Sequence, residues 1–408
     1  MRQVWITRRG GPEVLQVREA PDPEPAAGEV RIRVQASGVN FADVLARMGL
    51  YPDAPPLPTV VGYEVAGVID RVGKDVDGLR EGDRVGALTR FGGYADVVCV
   101  SPMQVSLLPD TLSFQKAAAI PVNYLTAWIM LVHLGCVREG DRVLVQAVAG
   151  GVGQAAVQIC RWRGAEVIGT ASAGKHERLR EMGVAHCIDY RTQDFEAEVK
   201  RITGGKGVDI ALDAVGGESF AKSYRSLAHL GRLYVFGVSS FAPGKRRSIP
   251  AAVRGLWKMP RFNPIPMMNK NRGVHGVNLG HLWEHVDLLK RMQAEIMELV
   301  QDGTFDPVVD RVYPLEQAAD AHAWIQDRKN FGKVLLGSEV RKCESAKVRK
   351  CESAKVRNEG AGPCHGGPAR WTFRRWCVRS ALPGQRMPVM VDIISWMVDG
   401  STPYIRAM

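Results

Sequence analysis

The sequence predicts an α/β protein of two lobes, a mostly β domain joined to a doubly wound parallel sheet. Three observations carry this reading. At 408 residues the chain is too long for one ordinary core. Its first 123 residues read as short strands punctuated by Gly, Pro and Asp, whereas residues 124–279 alternate short apolar runs with amphipathic helical stretches. Strands that are apolar at every position and spaced by helices belong to a sheet covered on both faces.

Taken in order, "EVRIRVQASGVN", "VVGYEVAGVIDRVG", "EGDRVGAL" and "YADVVCV" are the strands of the first domain, residues 1–123. The apolar stretch "AAAIPVNYLTAWIMLVHLG", 117–135, is nearly long enough to span a bilayer, but Pro121, Asn123 and His133 interrupt it, so a buried helix is expected. The cofactor-type domain, 124–279, supplies "DRVLVQAV", "AEVIGTA", "HCIDY", "VDIALDAV", "GRLYVFGV" and "GVHGVNLG" as strands. Residues 280–337 open with a long helix, then read strand, helix, strand, returning to the first domain. The tail, 338–408, repeats "KCESAKVR" back to back at 342–349 and 350–357 and then runs Gly/Pro/Arg-rich without a period. An octamer so short and polar is no stacking unit, so an irregular or disordered extension is expected. The spacing of Cys343, Cys351, Cys364 and His365 fits no tetrahedral metal site.

The net charge of +11 hints at nucleic acid until it is divided along the chain. Residues 338–408 hold 13 Lys/Arg against 6 Asp/Glu, which leaves only +4 on the body, and the body has no basic helix with interleaved aromatics. No nucleic-acid partner is expected. Eight cysteines without a Cys-x-x-Cys pair, and an N-terminus lacking the apolar run of a signal peptide, point to a reducing cytoplasm.

The chemistry begins after the first strand of the second domain. "DRVLVQAV" runs into Ala147-x-x-Gly150-x-x-Gly153 and then a helix starting near Gln154. Gly150 lets the backbone approach a pyrophosphate, Gly151 adds freedom to the turn beside Val152, and Gly153 allows close packing of helix on strand. With strand, helix and second strand in order, this is a dinucleotide fingerprint. An Asp or Glu about 20 residues on would normally bind the ribose 2′-hydroxyl. Here the second strand ends in small neutral residues and the loop supplies Lys175. An ammonium attracts the 2′-phosphate that a carboxylate would repel, so NADPH is the expected cofactor, with Tyr190 and Arg178 placed to assist.

Through "GVNFADVLARMGLYPDAPPLP", "AAAIPVNYLTAW", "AGGVGQAAVQICR", "GTASAGKHERLREMGVAHCIDYRTQDF" and "KNFGKVLL", residues 1–337 resemble the medium-chain dehydrogenase/reductase superfamily. Within it the chain is similar to the zinc-independent, zeta-crystallin-like quinone oxidoreductases, and among these to vesicle amine transport protein homologues. The resemblance implies a GroES-like catalytic domain and a Rossmann NADP-binding domain. It places the superfamily's three catalytic zinc ligands at Asn40, Tyr63 and Val122, none of which suits zinc, so no metal is expected and alcohol oxidation is disfavoured.

What remains is hydride delivery to an acceptor that is already electrophilic, a quinone or activated enone. By resemblance Asn40, Asp43 and Tyr51 build the acceptor site, and Thr126 holds the nicotinamide with Asn123 and Tyr124 beside it. Asn40 can donate to an oxyanion and Tyr51 can relay a proton. The helical spacing of "FADVLARMG" equally lets Asp43 cap the helix or pair with Arg47, and Tyr51 can simply pack. Leu45 stands where some relatives carry a second aromatic. An enoyl-thioester reductase is the rival enzyme, and a non-catalytic NADPH-binding protein acting at a membrane surface is the rival from another class. The basic, Trp/Phe/Met-rich segment 244–273 admits weak peripheral membrane contact, though a cover over the cleft or a dimer contact is the plainer reading. A homodimer through the edge strand "GVHGVNLG" follows from the family.

Overall fold

The computed structural model describes residues 1–245 and 248–337; the expectations for the tail lie outside the described residues. At its centre is a six-stranded sheet of β9 (Arg142–Val145), β10 (Glu166–Ala171), β11 (His186–Asp189), β12 (Val208–Asp213), β13 (Leu227–Val235) and β14 (Gly273–Gly276), ordered β11-β10-β9-β12-β13-β14 with every pairing parallel. The strands inward of the edge strand β14 alternate between two cores. Val143, Val145, Ile210 and Leu212 pack into one cluster, while Leu144, Ile168, Ala211 and Leu233 pack into another on the opposite face. That two-sided burial explains why these runs are apolar throughout. β9 has β10 on one side and β12 on the other, so the chain reverses direction across the sheet there and leaves a crevice at the strands' C-terminal ends.

The first lobe contains β1 (Arg2–Ile6), β2 (Leu15–Glu19) and β4 (Thr59–Val60) in a small antiparallel sheet. A seven-stranded sheet runs β15 (Val309–Tyr313), β16 (Lys333–Gly337), β3 (Val30–Val39), β5 (Glu64–Val72), β6 (Arg84–Leu88), β8 (Val105–Leu107), with β7 (Val97–Val100) also on β3. The chain therefore returns late: β16 pairs antiparallel with β3, Leu335 opposite Gly38. This pairing sets Lys333 beside the end of β3, where the helix Phe41–Arg47 begins. A bridge between Gly150 and Gly332, with Gly332 N–H donating to Ala149 O at 2.8 Å, ties the glycine turn to the same strand.

The apolar stretch 117–135 is not one helix. Phe114–Ala117 and Pro121–Trp128 are separate α-helices, and Ile129–His133 continues as a π-helical turn. Pro121 sits at the start of the second helix, where its missing N–H costs nothing and its ring prevents continuation from the first. Among the described residues no helix is long and apolar enough to cross a membrane.

Candidate active site

A cleft of about 1190 Å³ runs from the C-terminal ends of β9 and β10 to the helix Phe41–Arg47. At the β9 end, Ala147 takes a positive φ of 52° and its N–H donates to Thr170 Oγ1 at 3.2 Å. Gly150 is the extended N-cap of the helix Gly151–Arg163. The first-turn amides of Gly151, Val152 and Gly153 have no carbonyl one turn back, so they and the helix dipole face the cleft as an anion cradle. Asn123 donates to Ala119 O at 3.1 Å and packs against the bare Cα of Gly151. Thr126 also lines the cleft, whereas Tyr124 turns the other way, its hydroxyl on Gln158 and its ring on Phe305.

Lys175 lies in the turn after β10 and lines the cleft with Tyr190. Its ammonium donates to the carbonyls of Arg328 at 2.8 Å and Asn330 at 2.6 Å, which leaves one N–H for a ligand. Burial holds its pKa below the usual lysine value. Burial also pushes the Tyr190 phenol up, but Arg328 and Arg191 beside it outweigh this and its pKa is lowered. Arg178, expected to assist, instead stacks on Phe331 at 3.9 Å and does not line the cleft. Arg328 takes that place; its closeness comes from a tertiary contact across 153 residues that no local pattern encodes.

At the other end, Asn40 and Tyr51 line the cleft, and burial raises the Tyr51 phenol above its ordinary value. Leu45 is a buried apolar wall. The second aromatic is Tyr63, edge-on to Tyr51 at 6.2 Å between ring centroids and 5.3 Å from Phe91. Its hydroxyl is buried without a partner. Asn40 is held from both sides: Oδ1 accepts from Lys333 Nζ at 2.6 Å, and Nδ2 donates to Glu64 Oε1 at 3.0 Å. Lys333 and Glu64 form an ion pair only 2% and 0% exposed, and Glu64 Oε2 accepts the Val122 N–H at 2.7 Å.

Asp43 corrects the expectation of a substrate contact. It does not line the cleft, and its carboxylate, 0% exposed, accepts from the backbone N–H of Asn40 at 2.8 Å and of Gly62 at 3.1 Å and from Tyr94 Oη at 3.0 Å. With Asn40 it completes a capping box. Behind Tyr94 stands His322, whose Nε2 is 3.1 Å from the phenol and whose Nδ1 is 3.2 Å from Arg47 Nη1. Arginine can only donate, so Nδ1 accepts, the Nε2–H donates to Tyr94 Oη, and the Tyr94 O–H donates to Asp43. Asp43 is thus wired to Arg47 through two rings rather than paired with it.

Burial pushes the Asp43 carboxyl up to about 7 from 3.8, against the hydrogen bonds from Asn40, Tyr94 and Gly62 and the charge of Lys333. The folded chain therefore keeps a proton that the unfolded chain releases. This stabilisation is full below pH 4 and lost as pH rises toward 7, at up to about 1.4 kcal/mol per pH unit. Urea unfolding between pH 4 and 8 should show this slope in the wild type and a flatter one in Asp43→Asn; equal slopes would contradict the shift.

This fold and cleft define a class, two-lobed oxidoreductases that take a dinucleotide at a doubly wound sheet and an acceptor at a β lobe. Residues 26–110 match the alcohol dehydrogenase GroES-like domain family and residues 182–336 the zinc-binding dehydrogenase family. The human synaptic vesicle membrane protein VAT-1 homolog is 43% identical over 339 residues, 82% of this chain and 86% of that one. Among solved structures, Escherichia coli quinone oxidoreductase complexed with NADPH is 31% identical with a TM-score of 0.74, covering 83% of this chain and all of that one. CurK enoyl reductase is 30% identical with a TM-score of 0.72, covering 82% and 98%. The chain belongs to the medium-chain dehydrogenase/reductase superfamily, with the VAT-1 homologues.

The family name implies zinc, and the residues here do not fit it. Asn40 offers an amide whose oxygen already accepts from Lys333 and whose nitrogen can only donate, Tyr63 offers a phenol raised far above its ordinary pKa, and Val122 has no donor side chain. The Lys333 ammonium at this spot would repel a dication. Among the described residues no cluster of three His, Cys, Asp or Glu could hold a metal.

Proposed function

We propose that this chain is a cytoplasmic, zinc-independent, NADPH-dependent oxidoreductase that reduces a quinone or activated enone. The observation that carries it is one cleft joining a cationic end, Lys175 and Arg328, through the helix N-terminus to a largely apolar end where Asn40, Tyr51 and Tyr63 are among the polar groups. NADPH, when bound, supplies the hydride. Lys175, Tyr190 and Arg328 hold its 2′-phosphate, the amides of Gly151, Val152 and Gly153 its pyrophosphate, and Asn123 and Thr126 its nicotinamide. Asn40 donates an N–H to the acceptor oxygen as negative charge develops there, and Tyr51 delivers a proton. Residues 124–279 supply most of the cofactor site, with Asn123 and Arg328 added from outside it, and 1–123 with 280–337 shape the acceptor site. The NADPH complex of the E. coli quinone oxidoreductase supports the coenzyme choice.

With 2,3-dimethyl-1,4-naphthoquinone as acceptor, kcat/KM for NADPH should exceed that for NADH by about 10-fold or more. Equal values would overturn the coenzyme assignment. The likeness to CurK enoyl reductase and the placement of Tyr51 favour enoyl-thioester reduction as the second reading; faster turnover of enoyl-CoA than of quinones would establish it instead.

Two association surfaces accompany this reading. Among the described residues β14 pairs only with β13, so its other edge can continue the sheet into a second copy, which supports a homodimer. No described residue of 244–273 lines the cleft, which argues against a cover. Trp257 is 83% exposed, with Ile265 and Met268 also exposed, and this supports weak membrane contact through that segment.

A further inference from the structure

The buried ion pair beneath Asn40 has no part in the roles assigned so far, and its geometry restricts what the cleft can recognise. An asparagine carboxamide ordinarily presents either end to a ligand, because oxygen and NH2 exchange by a half-turn of the side chain. Here the half-turn is blocked. Lys333 can only donate, so the atom facing it must be Oδ1; the ionised carboxylate of Glu64 can only accept, so the atom facing it must be Nδ2. Reversing the amide would set NH2 against an ammonium and carbonyl oxygen against a carboxylate, both inside the protein.

The clamp is itself fixed. Glu64 is tied by its second oxygen to the Val122 N–H, and Gly38 leaves the room it fills, since a Cβ there would overlap its carboxylate. Lys333 is held by the pairing of β16 with β3. One Nδ2 hydrogen is committed to Glu64, and the other is free on a side chain that lines the cleft.

We infer that Glu64 and Lys333 are positioning residues that hold Asn40 as a one-way hydrogen-bond donor, so that the site selects acceptors presenting an oxygen lone pair, such as ketones and quinones. The inference rests on the proposed reductase reading for the place of the acceptor, but not on turnover. An alcohol oxygen can accept the same N–H, but its own O–H finds no acceptor at Asn40, so the clamp favours the oxidised partner of a carbonyl/alcohol pair.

The test compares two ligands of nearly one shape, 2,3-dimethyl-1,4-naphthoquinone and 2,3-dimethylnaphthalene, binding to the NADP+ complex in equilibrium dialysis. The wild type should prefer the quinone by about 10-fold, the worth of one well-placed hydrogen bond. Asn40→Asp keeps the partner for Lys333 but offers the ligand no N–H, and should erase the preference while leaving hydrocarbon affinity within about 2-fold. The double exchange Glu64→Met/Lys333→Leu removes the clamp without stranding a charge; Asn40 can then offer either end, so the preference should shrink by about 2-fold or more without vanishing. Should that variant not fold, the 15N-labelled side-chain amide of Asn40 in the wild type, identified by its loss in Asn40→Asp, decides between the outcomes. Quinone should shift one of its two proton signals and the hydrocarbon neither.

A quinone preference untouched by the double exchange, hydrocarbon affinity falling in step with quinone affinity, or an amide blind to quinone would each overturn the inference. NADPH oxidation is measured in parallel. A wild type that binds quinone selectively but never oxidises NADPH sinks the reductase reading and leaves the clamp standing.

Discussion

Lys175→Glu is expected to lower kcat/KM for NADPH by about 100-fold, about 2.8 kcal/mol, while NADH stays within a few-fold of wild type. The side chain stands in the turn after β10, the place where an NAD-selective site has its acid, and two of its three N–H donors already hold the carbonyls of Arg328 and Asn330. Replacement therefore removes a scaffold as well as a charge, and the two effects must be separated. Lys175→Met removes both at once and should shrink the NADPH:NADH ratio by about 10-fold. If the scaffold alone mattered, the loss would be complete at methionine. If charge acts on the 2′-phosphate, glutamate must take the ratio down by about another 10-fold, because attraction becomes repulsion. The step from Met to Glu should narrow in 0.5 M salt, while the scaffold part does not. Identical ratios for the two variants would remove Lys175 from coenzyme choice.

The coenzyme end is legible in the sequence because its signal is local: glycine turn, strand and loop lie within about 30 residues, the span of one βαβ unit. The parallel sheet is legible for the same reason, its central strands β9, β10 and β12 being apolar on both sides because each side meets its own core. The small sheet of β1, β2 and β4 escapes a reading by pattern, since β4 is two residues long and carries no period. The acceptor end is legible only in part. Helical spacing shows that Asp43 shares a face with Arg47, but not that Tyr94 and His322, 228 residues apart, meet between them. Glu64 and Lys333 read as an ordinary strand residue and a surface lysine; they become a buried pair because β16 returns 269 residues later to lie against β3. Burial of charge is a property of tertiary pairing, and no window along the chain contains it.

The contrasting case is Gly153→Val, which should abolish the cofactor site without touching its selectivity. A Cβ at Gly153 would lie 2.5 Å from Val148 O, 2.7 Å from Val148 C and 2.7 Å from Val148 Cα, all backbone of the turn itself. No rotamer relieves such a contact, so the helix Gly151–Arg163 must withdraw by about 1 Å, and overpacking of this kind costs about 1–3 kcal/mol of stability. The same movement carries the three first-turn amides away from the place of the pyrophosphate, and a misplacement of about 1 Å can cost about 100-fold. NADPH and NADH share that pyrophosphate, so their dissociation constants should rise together and their ratio should stay at the wild-type value. Fluorescence titration of both coenzymes, beside a thermal melt, measures the three quantities. A folded Gly153→Val that binds NADPH within about 3-fold of wild type would mean the phosphates do not sit at this helix, and the cationic patch of Lys175 and Arg328 would then need another ligand.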